Sequence, residues 1–257
     1  MTQTDVPQVA VVLGTFTRQA LLQQALESFR ASCGDLSHTF VVVDGGSTDG
    51  TKEWLLEQPD VSPIFQHLPL SGAVKAFNLG FAFAVDAGFP WIAALNDDDQ
   101  MHPEPGLQRA VEMMQADEAI GAVAFETDLR GGWAYEEWNG RPYANKGIFR
   151  REAGMAAARA AGDPEGRCWW CRDHHTYASD TELGLWIWRL GWTIAKGGRL
   201  HDNARNDPHS KHDVLRGANL REYMRSGTVK LFEKRWTDPK NVEYNRADAE
   251  AFGGRLL

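Results

Sequence analysis

The chain has 257 residues, of which 43% are hydrophobic and 24% charged, the composition of a folded globular protein and not of a disordered one. It contains no run of roughly 18 apolar residues that could span a bilayer, and its three cysteines are too few for a disulfide framework. The net charge of −8 divides into −12 up to residue 195 and +4 from residue 196 onwards, which argues against a general nucleic-acid coat.

Along the first hundred residues, buried strands alternate with amphipathic helices. Near-continuous apolar runs predict strands, and apolar residues at helical spacing predict helices between them. The strands are predicted at 8–13, 39–43, 62–65 and 90–95, and the helices at 21–33, from 51 and at 72–87. A β-α-β-α-β-α-β order implies an α/β fold with a mostly parallel sheet and right-handed crossovers.

The second half of the chain is less regular. A segment rich in Gly, Trp and Tyr, residues 131–143, predicts a loop or a ribbon. Helices are predicted at 103–114, 153–161, 181–190 and 219–236, and strands at 119–125 and 192–196. No linker separates two hydrophobic cores, so we expect a single domain.

Three adjacent acids, Asp97, Asp98 and Asp99, follow the fourth strand. Neighbouring carboxylates repel one another, and their oxygens are the ligands that Mg²⁺ and Mn²⁺ prefer. The run therefore indicates either a metal site at the carboxyl end of the strand or a solvated acidic turn.

Polar turns follow the other strands too, at 15–18 and at 44–49. Parallel strands end at one edge of the sheet, so these turns and the acid run should line one crevice. Backbone amides at helix starts and a cluster of acids suit a nucleotide diphosphate with its cation.

The chain contains five motifs in the order VVLGTFTR, VVVDGGSTDGT, GAVKAFNLGFAFA, LNDDDQMHP and SDTELGLWIWRLGW. Together, over about residues 8–201, they resemble the family 2 glycosyltransferases, which are inverting enzymes with the GT-A nucleotide-sugar fold. The resemblance implies a GT-A-like, Rossmann-related sandwich and a metal-dependent transfer of a sugar, with a UDP-sugar as the favoured donor, to an acceptor hydroxyl.

The resemblance also implies a role for individual residues. Asp180 takes the place of the catalytic base, and Asp98 is the chief ligand of a Mn²⁺ or Mg²⁺ ion, with Asp99 and His201 as further metal candidates. The residues expected to bind the nucleotide or the sugar are Thr15, Phe16, Arg18, Asp44, Gly45, Lys75, Asn78, Asn96 and Asp97. Asp44 could also be a plain turn residue, and Asp180 a plain helix cap.

The sequence departs from the family pattern in three places. Gly45 stands where a second acid usually follows Asp44, Asn96 occupies the first position of the D-x-D element, and Trp186 replaces an arginine. These changes keep two alternatives open: a nucleotidyltransferase or pyrophosphorylase, and a catalytically inactive protein that binds nucleotide sugars.

Cys168 and Cys171 form a C-x-x-C pair close to His174 and His175. Such a pair can hold zinc, although a zinc site usually shows a second pair of ligands, and reduced, partly buried thiols are the other interpretation.

We expect residues 1–102 to form the nucleotide-sugar-binding half, 103–213 the acceptor and catalytic half, and 214–257 a helical tail. No signal peptide is visible, so a cytoplasmic location is expected. The acceptor class stays open among a glycan, a lipid-linked glycan, a small molecule, a peptide and a modified nucleic-acid base, and the oligomeric state is also open.

Overall fold

The computed structural model describes residues 8–66, 72–104, 106–129, 132–138, 140–174, 178–203 and 236. The predicted tail, 214–257, and its helix, 219–236, lie outside the described residues except for Trp236. The helices are α1 (Gln19–Cys33), α2 (Thr51–Leu56), α3 (Ala73–Asp86), α4 (Gly106–Ala116), α5 (Arg151–Ala160) and α6 (Ser179–Arg189). The strands are β1 (Val9–Thr15), β2 (His38–Asp44), β3 (Val61–Phe65), β4 (Trp91–Ala94), β5 (Asp99–Met101), β6 (Ile120–Leu129), β7 (Gly132–Ala134), β8 (Glu137–Trp138), β9 (Arg141–Pro142), β10 (Gly147–Arg150) and β11 (Thr193–Asp202).

A single large sheet forms the centre of the protein, with the strand order β3-β2-β1-β4-β10-β6-β11-β5. The first four strands are parallel, as the β-α-β pattern predicts, and β6 and β11 are also parallel. The strand β10 joins these two parallel groups because it pairs antiparallel with both β4 and β6. Strand β7 pairs with β6, while β8 and β9 form a separate two-stranded ribbon within the predicted 131–143 segment.

Both faces of the sheet are covered, which explains the unbroken apolar runs of its strands. Alternate residues of β1 point to opposite sides: Val9 and Val11 join one core with α1 and α4, and Ala10 and Val12 join the other with α3 and α6. The result is a three-layer α/β sandwich, as predicted for the fold class.

Helix α3 packs directly on the sheet at Gly80. A Cβ atom at this position would lie 2.3 Å from Val12 Cγ1, so only glycine permits this approach. This glycine is the last residue of the G-x-x-x-A-x-N-x-G pattern, and its role is therefore in packing α3 against β1.

Three features of local structure go beyond what the sequence predicts. Asp99, the last residue of the acid run, is the first residue of β5. The predicted strand at 192–196 continues to Asp202, so that His201 lies within β11 and not after it. The central strand β10 was not predicted, because four residues are too few to show a pattern.

Gly184 brings α6 against the segment before β10, where a Cβ atom would lie 2.4 Å from both Tyr143 Cβ and the Tyr143 carbonyl oxygen. We expect Gly184→Ala to lower the free energy of unfolding by about 1–3 kcal/mol, because helix and segment must separate. Gly132→Ala is the matched control, since nothing lies within 4 Å of its added Cβ. Urea denaturation of both variants measures the difference, and equal stability would contradict this account of Gly184.

Candidate functional site

The acid run connects β4 to β5, and its three carboxylates have different surroundings. Asp97, which is 5% exposed, accepts hydrogen bonds from Thr15 Oγ1 at 2.8 Å and from Arg18 Nη1 at 3.2 Å. Asp98 Oδ2 accepts from the same Arg18 Nη1 at 2.7 Å. Within the described ranges no hydrogen bond reaches Asp98 Oδ1, so this oxygen is available to a ligand.

Asp99 is fully buried and both of its carboxylate oxygens are engaged. Lys146 Nζ lies 2.5 Å from Oδ1, and the backbone amide of Asn96 donates to Oδ2 at 2.9 Å. Asp202 pairs with Asp99 across β11 and β5, which places both side chains on one face of the sheet. Burial opposes the charge of Lys146, yet the carboxylates of Asp99 and Asp202 keep the pKa of Lys146 above its usual value.

These residues form a group with excess negative charge, which we call the acid cluster. The acid cluster consists of Asp97, Asp98, Asp99, Asp202, Arg18 and Lys146. Within the described ranges the acid cluster contains four carboxylates and two cationic side chains. Burial, and then the charge of Asp98, raises the pKa of Asp97 to about 7 despite Arg18, and burial raises that of Asp99 to about 6 despite Lys146. The atoms of the acid cluster that could bind a metal are all carboxylate oxygens, which are the ligands that Mg²⁺ and Mn²⁺ prefer.

The ends of β1 and β2 lie beside the acid cluster. The Gly45 amide donates to the Thr15 carbonyl at 2.9 Å, and the Phe16 ring lies against Gly45. The Asp44 carboxylate is buried and accepts the amide of Ser47 at 3.1 Å, together with the Ser47 hydroxyl. Asp44 thus closes its own turn, and its predicted contact with the nucleotide stays a prediction.

Helix α3 carries the two predicted donor-binding residues, Lys75 and Asn78. Lys75 is exposed and lines a cavity of about 550 Å³, shared with Arg167 and Arg172. Asn78 is buried. Its side-chain Nδ2 donates to the backbone carbonyl of Trp170 at 2.7 Å, and its Oδ1 accepts from the backbone amide of Trp170 at 2.9 Å. Asn78 therefore fixes the backbone before α6, a contact that the sequence does not reveal.

Asp180 lies in the first turn of α6. Its Oδ1 accepts the Thr181 amide at 2.8 Å, and no residue of the described ranges donates to Oδ2. Burial, and then the neighbouring charge of Glu136, raises the pKa of Asp180 to about 6. A carboxylate of this kind is ionised at neutral pH and accepts protons better than an ordinary aspartate, as a general base requires.

The segment Tyr143–Lys146 links the acid cluster to Asp180. At one end Lys146 binds Asp99. Nearer the other end, Tyr143 Oη and Asn145 Nδ2 donate to Glu136 Oε2 at 2.5 and 2.9 Å, and Glu136 is the carboxylate that acts on Asp180. The two predicted parts of the site thus share one short, hydrogen-bonded segment.

Sequence reasoning missed Lys146, Glu136 and Asp202. None of them belongs to a recognisable motif. The pairing of β10 and β11 with their neighbours brings Lys146 and Asp202 to the site, and hydrogen bonds to Tyr143 and Asn145 bring Glu136.

His201 is half-exposed on β11, opposite Gln100 of β5. Its Nδ1 lies 3.1 Å from Asp128 Oδ2, and its ring is 4.8 Å from that of Trp133. Successive strand residues point to opposite faces, so His201 lies on the face away from its neighbour Asp202. Its role as a metal ligand stays a prediction, and Asp202 is the better-placed group.

We expect Lys146→Met to lower the free energy of unfolding by about 3 kcal/mol, because it leaves the fully buried Asp99 without its cation. Lys196→Met is the matched control: its ion pair with Glu137 at 2.7 Å is exposed and screened by water, so its loss should change stability much less. Thermal and urea unfolding of the two variants test the difference. Similar losses in both would show that the Lys146 pair does not hold β5 in place.

The family model for "Glycosyl transferase family 2" matches residues 10–173, more than half of the chain. The chain belongs to glycosyl transferase family 2. This membership, together with the similarity of the chain to other glycosyltransferases, argues against the nucleotidyltransferase alternative.

Two curated relatives resemble part of this glycosyltransferase. An uncharacterised glycosyltransferase of Nostoc sp. is 35% identical over 121 residues, which are 45% of this chain and 35% of the relative. The undecaprenyl-phosphate 4-deoxy-4-formamido-L-arabinose transferase of Aeromonas hydrophila is 28% identical over 130 residues, 48% of this chain and 39% of the relative. The matched region of the chain therefore spans less than two fifths of the length of each relative.

Solved structures confirm the GT-A fold. A mannosyltransferase from Pyrobaculum calidifontis, solved with GDP-Man and Mn²⁺, has a TM-score of 0.63 at 19% identity, covering 95% of this chain and 70% of that protein. S. aureus TarS has a TM-score of 0.60 at 14% identity, covering 96% and 43%. A TarS fragment in complex with UDP-GlcNAc has a TM-score of 0.53 at 12% identity, covering 97% and 82%.

Among the helices of the described residues, none is both long and apolar enough to cross a membrane.

Proposed function

We propose that this family 2 glycosyltransferase moves a sugar from a nucleotide diphosphate, with a UDP-sugar as the favoured donor, to an acceptor hydroxyl, with inversion at the anomeric carbon. The observation that carries the proposal is the pairing of two complementary sites: an acid cluster in which Asp98 keeps an available oxygen, and a half-buried carboxylate, Asp180, that also keeps one. The first suits a diphosphate with its cation, and the second suits a hydroxyl that must lose a proton.

The proposed cation is Mn²⁺ or Mg²⁺, held by Asp98 with support from Asp202. When bound, such an ion neutralises the negative charge that develops on the leaving diphosphate. Asp97 and Arg18 hold Asp98 in place through the shared guanidinium group, while Asp99 is occupied by Lys146. We therefore assign Asp99 to positioning the acid cluster, and Asp98 to binding the ion.

Asp180 would accept the proton of the acceptor hydroxyl as that oxygen attacks the anomeric carbon from the face opposite the diphosphate. A single displacement of this kind inverts the configuration of that carbon. Glu136, held by Tyr143 and Asn145, contributes by keeping the pKa of Asp180 raised, so that the base is strong enough to take the proton.

The nucleotide would lie along the ends of β1 and β2, against Thr15, Phe16, Asp44 and Gly45. Two structural neighbours were solved in complex with nucleotide sugars, GDP-Man in one and UDP-GlcNAc in the other, which supports this class of donor. Lys75 would reach the donor from the wall of the 550 Å³ cavity on α3. The acceptor class stays open.

A screen of UDP-, GDP- and dTDP-sugars with Mn²⁺ tests the proposal, read by thermal shift and by slow donor hydrolysis without acceptor. We expect a UDP-sugar to raise the melting temperature and to be hydrolysed, because a ligand that binds only the folded state stabilises it. A larger shift with a GDP-sugar would overturn the choice of UDP. A shift without hydrolysis would favour the other alternative, a catalytically inactive protein that binds nucleotide sugars, and no shift with any donor would overturn the proposal.

A further inference from the structure

Three buried side chains with metal-binding atoms meet beside α6, away from the acid cluster. They are Cys171, His174 and Glu182, which are 8%, 2% and 1% exposed, and their ligand atoms all lie within 4.8 Å of one another. The Glu182 carboxylate is in direct contact with His174 Nε2. Thiol, imidazole and carboxylate groups are seldom buried together unless a cation or a set of hydrogen bonds compensates them.

We propose that Cys171, His174 and Glu182 bind a zinc ion. Zinc takes sulfur, nitrogen and oxygen ligands at about 2.0–2.3 Å in a tetrahedral arrangement, which brings neighbouring ligand atoms to about 3.5 Å from one another. The cluster meets this spacing with small side-chain adjustments. Thiolate and imidazole favour zinc, whereas Mg²⁺ and Mn²⁺ favour the all-oxygen acid cluster.

The C-x-x-C pattern suggests Cys168 as the metal-binding partner of Cys171, but the structure does not bring the two thiols into one cluster. Cys168 is half-buried, and its Sγ accepts a hydrogen bond from Arg172 Nη2 at 2.7 Å, so it lies outside the cluster. The zinc ligands instead follow a Cys-x-x-His spacing, Cys171 and His174, completed by Glu182 from α6. Three protein ligands leave a fourth position, which water can fill.

The position of the site defines what the ion would do. The backbone before Cys171 is held by Asn78 of α3 through both hydrogen bonds to Trp170, while Glu182 lies on α6, two residues after Asp180. A zinc ion would therefore tie α6, and with it the proposed base, to the segment anchored on α3. This role is structural and does not depend on the transfer reaction.

Metal analysis of the purified full-length chain, after incubation with Zn²⁺ and dialysis, tests the proposal. We expect about one zinc per chain, and less than about one tenth of that in Cys171→Ser and in Glu182→Gln. Cys168→Ser, a matched thiol only three residues away, and Asp98→Asn, in the acid cluster, should both retain zinc. A wild-type chain without zinc, or equal loss in Cys168→Ser and Cys171→Ser, would overturn the proposal.

Cobalt loading provides a measurement that does not require the cluster variants to fold. Co²⁺ bound by a thiolate gives an intense charge-transfer band in the near ultraviolet, and Co²⁺ bound by carboxylates alone does not. We expect the band in the wild-type chain and, undiminished, in Cys168→Ser. Its absence from the wild-type chain, or its loss in Cys168→Ser, would refute the assignment.

Discussion

Asp180→Asn should lower kcat for sugar transfer by about 10³–10⁴-fold, with donor binding retained. The amide has the same size as the carboxylate and can still accept the Thr181 amide through its oxygen, so that the start of α6 is preserved. It cannot, however, accept a proton from an incoming hydroxyl. In the part of the chain that the structure describes, Asp180 makes no hydrogen bond to the residues predicted to hold the nucleotide, and we therefore expect the donor Kd to change less than about threefold.

Two measurements separate a lost base from a lost fold. Donor binding by calorimetry and the melting temperature should both match those of the wild-type chain. Asp86→Asn is the matched control, because Asp86 is an exposed aspartate at the end of α3 that pairs with Arg167, and its loss should leave kcat unchanged. Turnover in Asp180→Asn within tenfold of the wild type would exclude Asp180 as the base.

The parallel half of the fold could be predicted because its signals are local. β1 and β2 are apolar runs, since each is buried on both faces, and β1 is followed by α1, a helix with a regular apolar stripe. Family membership could be predicted because two of its five motifs lie at the ends of β1 and β2 and a third follows β4, where the sequence pattern itself places them.

The strands of the second half of the chain could not be predicted as well, because they form by pairing with strands that are distant in sequence. β5 and β10 have three and four residues, too few for periodicity, and become strands through pairing with β11, β4 and β6. β11 continues through Gly197 and Gly198, which usually indicate a break. At Gly197 a Cβ atom would lie 2.4 Å from Val123 Cγ1, so that this glycine allows close contact inside the sheet.

The acid run shows where sequence reasoning ends. Its composition predicts a cation site, but not which carboxylate is available. The structure distinguishes them by partners: Asp97 is taken by Thr15 and Arg18, Asp99 by Lys146 and a backbone amide, and Asp98 keeps one oxygen. Lys146 is distant in sequence, and its partner could be found only from the pairing of the strands.

Removal of divalent metal should abolish transfer, with a loss of about 10³-fold or more in kcat/KM that Mn²⁺ or Mg²⁺ restores. The physical reason is that Asp98 keeps one oxygen available for the ion, which neutralises the charge that develops on the leaving diphosphate. Assays after treatment with EDTA, followed by addition of each ion, measure the loss and the recovery. Full turnover in EDTA would show that Arg18 neutralises the diphosphate without a metal.

Two isosteric variants then decide which acid holds the ion. Asp98→Asn should raise the Mn²⁺ concentration for half-maximal activity by about 10–100-fold with little change in melting temperature, because it weakens an available ligand and leaves the fold intact. Asp99→Asn should instead lower the stability, because it leaves Lys146 buried beside a neutral amide. The Mn²⁺ concentration for half-maximal activity should stay near that of the wild type. If Asp99→Asn instead raises the Mn²⁺ requirement as strongly as Asp98→Asn, then Asp99 is a ligand too, and Lys146 must leave it when the ion binds.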